Sequence, residues 1–120
     1  AKENIDGLSE EQLKKHTEAP FRAPMIIILI NTPKEHRMVP EIEQIMSTAT
    51  AGQNILLALS SMGYGGIWRT GTFAFNDKVG KYLDLKKGQQ VVGYLYVGTP
   101  EGKLKKIPEM KTKDFVTKWD

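Results

Sequence analysis

Residues 62–71 read MGYGGIWRTG, and they close the least charged part of the chain. Between Gln44 and Asn76 the only charged side chain is Arg69. Burying an unpaired guanidinium costs more than the packing around it returns, so Arg69 requires either an anionic partner or a route to water. Gly63, Gly65 and Gly66 accommodate positive φ and close backbone approach, which a helix stop followed by a ligand-facing turn needs. Two readings follow. Either Arg69 anchors an anion site, or the stretch is a helix C-cap and tight turn with Arg69 at the surface.

The segment before it predicts a long helix from about Pro40 to about Met62. Proline suits a first helical turn, and Glu41 and Glu43 place negative charge at the positive end of the helix dipole. Ser47, Asn54 and Ser61 recur every seven residues and share nearly one stripe with Ala51 and Ala58. We read this small, polar stripe as a contact between two subunits across a two-fold axis, with packing inside one subunit as the alternative.

Further towards the N-terminus, Met25 to Ile30 (MIIILI) is a continuous apolar run bounded by Pro24 and Pro33, which predicts a strand buried on both faces at the centre of a sheet. Ser9-Glu10-Glu11-Gln12 matches a capping box and predicts a short helix to about Thr17. Pro20 and Pro24 bracket an extended connector. Beyond Gly71, Asn76 caps a short helix over 77–83 with Val79, Tyr82 and Leu83 on its inner face. Gln90 to Gly98 is a second strand, whose Gly93 marks the close approach of another group. The tail from Lys103 to Asp120 alternates basic and apolar residues and ends in DFVTKW, an edge strand that a partner subunit's core would accept.

With 120 residues, 40% hydrophobic and 26% charged, the chain is one domain's worth of globular sequence. Its net charge of +3 is too dispersed to mark a nucleic-acid face. The absence of cysteine excludes disulfides and thiolate metal sites, and His16 and His36 show no ligand spacing. No apolar targeting core precedes Met25, and the uncharged run from Gln44 to Arg69 is interrupted too often by polar residues to span a bilayer. The expectation is a cytoplasmic protein without a metal, a membrane segment or a nucleic-acid partner.

Taken in order, APFRAPMIII, VPEIEQ, GYGGIWRTG, VVGYLYVGTP and DFVTKW resemble the short bacterial NAD(P)H nitroreductases of the flavin-dependent nitroreductase family. The resemblance covers nearly the whole chain, with GGIWRTG its most specific part. It implies an α+β fold with a central, mainly antiparallel sheet flanked by helices. It also implies a homodimer with a long interface helix and an exchanged C-terminal tail, with FMN bound at the subunit interface. Hydride would pass from NAD(P)H to a small-molecule acceptor, a nitro-compound or quinone-like molecule. The matching segment Trp68, Arg69 and Thr70 would contact FMN, with Arg69 by its phosphate. Ala58, Leu59, Ser60, Ser61, Met62 and Gly63 would lie near the nicotinamide nucleotide. No side chain is singled out as catalytic, because the flavin carries the hydride.

The family also carries an N-terminal flavin-binding segment, with paired arginines and a serine, that has no counterpart here. Residues 1–120 are therefore expected to form the C-terminal two-thirds of one domain. The absent initiator methionine points the same way, and no second cationic cluster is visible to share a doubly charged phosphate. Two readings from other classes stand beside this one. One is a non-catalytic nucleotide- or anion-binding module built on Arg69 and the glycine turn. The other is an RNA-binding tail, disfavoured by Glu101, Glu109, Asp114 and Asp120 among its lysines.

Overall fold

The computed structural model describes residues 8–102 and 106–119. The polar start over 1–7 and the first part of the basic tail lie outside the described residues, as does Asp120. Three antiparallel strands, β1 (Met25–Asn31), β2 (Gly65–Arg69) and β3 (Gln90–Gly98), form a sheet of order β1-β3-β2. Helices α1 (Glu10–Glu18), α2 (Glu41–Ser61) and α3 (Asp77–Tyr82) accompany it.

Among the described residues the central strand is β3, and β1, read from the sequence as the centre of a sheet, is paired on one side only. β3 alternates half-buried and buried residues along its length. Its Val91, Gly93, Leu95 and Val97 face α2, and Leu95 is 0% exposed. Leu29, Leu95 and Val97 form the core, against which Ile27, Ile55, Leu56, Leu59 and Trp68 pack. The isoleucines of β1 that do not face this core point to the other side of the sheet.

Local chemistry sets the element ends. The Ser9 hydroxyl accepts from the Gln12 amide at 3.2 Å and the Gln12 side chain accepts from the Ser9 amide at 3.0 Å, completing the capping box. α2 begins one residue later than predicted, with Pro40 as its N-cap. It stops in a Schellman motif: Gly63 at φ +82° donates to the Ser60 carbonyl at 3.1 Å, and Tyr64 donates to the Leu59 carbonyl at 2.9 Å. Asn76 caps α3 by accepting from the Lys78 and Val79 amides. Tyr82, placed on the inner face from the sequence, is 76% exposed instead. α3 has only six residues, Asp77–Tyr82, with Leu83 as its C-cap.

Gly65 and Gly66 do not take positive φ but lie in β2. A Cβ at Gly66 would collide with the Leu56 side chain, so this glycine lets the strand lie against α2. The predicted strand in the tail is absent from the described residues, where a single 3-10 turn at Thr112–Asp114 is followed by irregular chain. Its alternating apolar residues find no strand edge within this chain: Phe115, Val116 and Trp119 stay exposed.

Candidate functional site

Strand alternation decides what faces where at the end of β2. Trp68 pairs with Leu95 and Arg69 with Tyr94 across the β2–β3 ladder. Since Leu95 lies in the core beneath α2, Trp68 turns to the helix side and Arg69 to the opposite face. Gly71, at φ +70°, then reverses the chain into the 3-10 turn Thr72–Phe75.

A cleft of ≈ 670 Å³ opens on that face. Ile26, Ile28, Tyr94 and Tyr96 form its floor, and the segment from Arg69 to Phe73 forms one wall. The other wall comes from α1 and the turn after it, through Lys15, His16, Ala19, Pro20 and Arg22. The two walls meet where the His16 and Phe73 rings stand edge to face, with centroids 5.2 Å apart and planes at 81°. The Tyr94 hydroxyl donates to the Phe73 carbonyl at 3.2 Å and so holds the turn to the floor. Burial, and secondarily the neighbouring Tyr96, raise the Tyr94 phenol above its ordinary value of 10.0, so it remains a donor at neutral pH.

The electrostatics of the cleft are one-sided. Lys15, Arg22 and Arg69 all border it, and among the described residues no aspartate or glutamate does. Among the described residues none of these three cations has a carboxylate within 4.0 Å, whereas Lys14, on the same helix as Lys15, pairs with Glu18 at 3.8 Å. An apolar, aromatic floor under a cationic rim suits a planar conjugated ligand that carries an anionic group. The volume lies within the usual range of small-molecule sites, roughly 300–1,000 Å³.

Arg69 and Thr70 stand at this cleft, both exposed. Arg69 therefore has a route to water, one of the two alternatives that the sequence left open. Trp68 borders the cleft too, but its indole is wedged between β3 and α2. A Cβ at Gly93 would lie 2.6 Å from its Nε1, and one at Gly52 would strike its six-membered ring. Ala58 to Gly63 are not brought to the cleft. They form the end of α2, where Leu59 packs into the core and the others are exposed. Sequence reasoning missed Lys15 and Arg22. The signal available was their position on either side of Pro20, which lies in the first turn of the 3-10 segment Ala19–Arg22. Lys15 and Arg22 stand on the lining of the same cleft as Arg69. Among the described residues no cluster of acidic and histidine side chains could hold a metal, and no helix is long and apolar enough to cross a membrane.

The pattern that defines the nitroreductase family matches residues 2–99. This chain belongs to that family. YdjA of Escherichia coli K12, whose name places it provisionally among the NAD(P)H nitroreductases, is 36% identical over 95 residues. The match covers 79% of this chain and 52% of YdjA. A similarly named Haemophilus influenzae protein is 28% identical over 112 residues, covering 92% of this chain and 61% of the relative. The chain thus spans between half and two thirds of these relatives' length. Among solved structures, a nitroreductase-like family protein of Bacillus cereus superposes with a TM-score of 0.71 at 21% identity, over 92% of this chain and 60% of the other. A Bacteroides fragilis nitroreductase with bound FMN superposes with a TM-score of 0.67 at 24% identity, over 95% and 63% respectively. These likenesses establish the nitroreductase-like α+β fold expected from the sequence.

Proposed function

We propose that these residues belong to an FMN-dependent oxidoreductase that passes hydride from NAD(P)H to a nitro-compound or quinone-like acceptor, and that the cleft beside Arg69 holds the phosphate end of the flavin. The carrying observation is the position of Arg69, Thr70 and Gly71 on a cationic cleft that no carboxylate among the described residues borders, in a chain of this family. FMN, when bound, supplies the two-electron carrier. The protein's part is to bind and orient. The Arg69 guanidinium can offer two parallel N–H donors to phosphate oxygens, and Thr70 a hydroxyl. With its indole fixed in the core, Trp68 contributes through its backbone, and its packing holds the Arg69 backbone in register.

The end of α2, from Ala58 to Gly63, is the proposed nicotinamide side. A helix C-terminus is the negative end of its dipole and repels phosphate, so this turn suits the neutral nicotinamide and its ribose better than the pyrophosphate. Two copies would meet through the outer face of α2. Ser47, Ala51, Asn54 and Ala58 lie exposed there, with Ile42, Met46 and Leu57 beside them. The apolar tail residues from Ile107 to Trp119 would pack on the partner. A segment outside residues 1–120 would complete the flavin site, and the assembly would work in the cytoplasm.

The test is an equilibrium titration of the flavin-free, full-length protein with FMN. Replacing Arg69 with alanine is expected to weaken binding by about 2 kcal/mol, roughly 30-fold, the scale of a charge-assisted contact. Equal dissociation constants for parent and variant would overturn the assignment. Bound FMN without NAD(P)H oxidation would favour the non-catalytic binding module.

A further inference from the structure

We propose that Tyr94 is a positioning residue for the loop from Arg69 to Phe73: it sits opposite the first residue of the loop in the sheet and donates a hydrogen bond to the last. That loop is the one assigned above to the flavin, so the proposal rests on that reading and adds what holds the loop ready for a ligand.

Arg69 and Tyr94 form the last pair of the β2–β3 ladder. β2 stops at Arg69, while β3 extends beyond that pair from Gly93 back to Gln90. The chain therefore leaves the sheet at Arg69, and the ladder does not fix Thr70, Gly71 or Thr72. It comes back to the same strand position at Phe73, whose carbonyl accepts from the Tyr94 hydroxyl at 3.2 Å. One residue of β3 thus touches both ends of the loop. Closing a short loop at its base removes much of its freedom before any ligand arrives.

Gly93 and Tyr94, consecutive in β3, fix the two flanks of the loop from opposite faces of the sheet. On the α2 face, Gly93 leaves room for the indole of Trp68, the residue before the loop. On the cleft face, Tyr94 holds Phe73, whose ring also meets that of His16 with centroids 5.2 Å apart. Inside the loop, Gly71 stands at φ +70° and ψ −173°, a region that glycine alone enters readily, and its carbonyl accepts from the Ala74 amide at 3.2 Å. Glycine keeps many other conformations open, so this reversal needs a tie from outside the loop. Tyr94 supplies it.

Burial, and secondarily Tyr96, raise the Tyr94 phenol above its ordinary value, so the donor is present throughout the neutral range. Tyr94 and Phe73 are both half-buried at the border of the cleft. Water can replace the hydroxyl there, so its removal costs the fold little. What is lost is the geometric link between β3 and the loop. A purely structural tyrosine would show the reverse, a lower stability with the loop unchanged.

The experiment compares the full-length parent with Tyr94→Phe, Arg69→Ala and the double variant. Tyr94→Phe keeps the ring and removes only the donor. Hydrogen exchange of the backbone amides over 70–74 is followed in the flavin-free proteins, and FMN affinity is measured by equilibrium titration. In Tyr94→Phe these amides are expected to exchange about fivefold faster and FMN affinity to fall about fivefold, the scale of one neutral hydrogen bond, with the denaturant midpoint close to the parent's. In the Arg69→Ala background the same change is expected to cost less affinity, because the loop then has less to position. Unchanged exchange in Tyr94→Phe, or faster exchange with parental FMN affinity, would overturn the role and leave the flavin reading standing. An equal loss in both backgrounds would overturn it too, since Tyr94 would then act on the ligand and not through the loop. So would a lowered midpoint with faster exchange throughout the protein, the mark of a merely structural tyrosine. A parent that binds no FMN, or an undiminished Arg69→Ala, would sink the flavin reading and this role with it.

Discussion

Trp68 is the residue on which core and site depend together. Its indole fills the gap between α2 and β3 because positions 52 and 93 are both glycine, and Arg69 is aimed into the cleft by the next step of the same strand. Replacing Gly93 with alanine would set a methyl 2.6 Å from the indole Nε1, in a place where backbone confines the ring on the other side. The expected cost is about 1–3 kcal/mol of unfolding free energy by denaturant titration, the usual range for overpacking. Unchanged stability would mean that the ring is free to move. Gly93 could be picked out from sequence, because a glycine inside an otherwise β-branched and aromatic strand signals close approach. Gly52 could not: its neighbour Trp68 lies sixteen residues further on, beyond any helical periodicity.

At the scale of elements, the continuous apolar run of β1 identified a strand correctly, and among the described residues that strand is hydrogen-bonded on one side only, to β3. Apolar residues on both faces report what covers the faces, here the α2 core on one side and the cleft floor on the other. They carry no information about how many edges are hydrogen-bonded, which depends on long-range pairing. Helix ends were legible because their signals are local: the capping box at Ser9, the Asn76 cap and the Gly63 stop all formed. The tail's alternation forms a strand only where an edge is available to pair with, and the edge expected from the sequence is a partner subunit's. The outer stripe of α2 remains exposed in this chain, as an interface would before assembly. Replacing Ala51 with tryptophan is expected to yield monomers in sedimentation velocity, with loss of bound flavin. An intact flavin-bearing dimer would show that the two-fold contact lies elsewhere.

The whole molecule is looser than a self-sufficient domain of its size. Its radius of gyration is 17.9 Å, where about 14 Å is usual for 120 residues. Among the described residues five hydrophobic side chains are buried and seventeen large ones are exposed. This surface bears on why the fold was readable while the completeness of the site was not: under the proposed function its cover would come from other subunits or segments, whose contacts would leave only exposed apolar residues in this sequence. Residues 1–120 expressed alone are therefore expected to bind the hydrophobic dye ANS, retain negligible FMN and show no NAD(P)H oxidation with a nitroaromatic acceptor. Stoichiometric flavin with turnover would show that the site is complete within them. The central claim, that the Arg69 cleft receives the flavin phosphate, is tested most directly by a crystal structure of the full-length protein with FMN. The account predicts phosphate oxygens at roughly 2.7–2.9 Å from the Arg69 guanidinium nitrogens, the span of a charge-assisted pair. A phosphate seated elsewhere, with Arg69 facing only water, would contradict it.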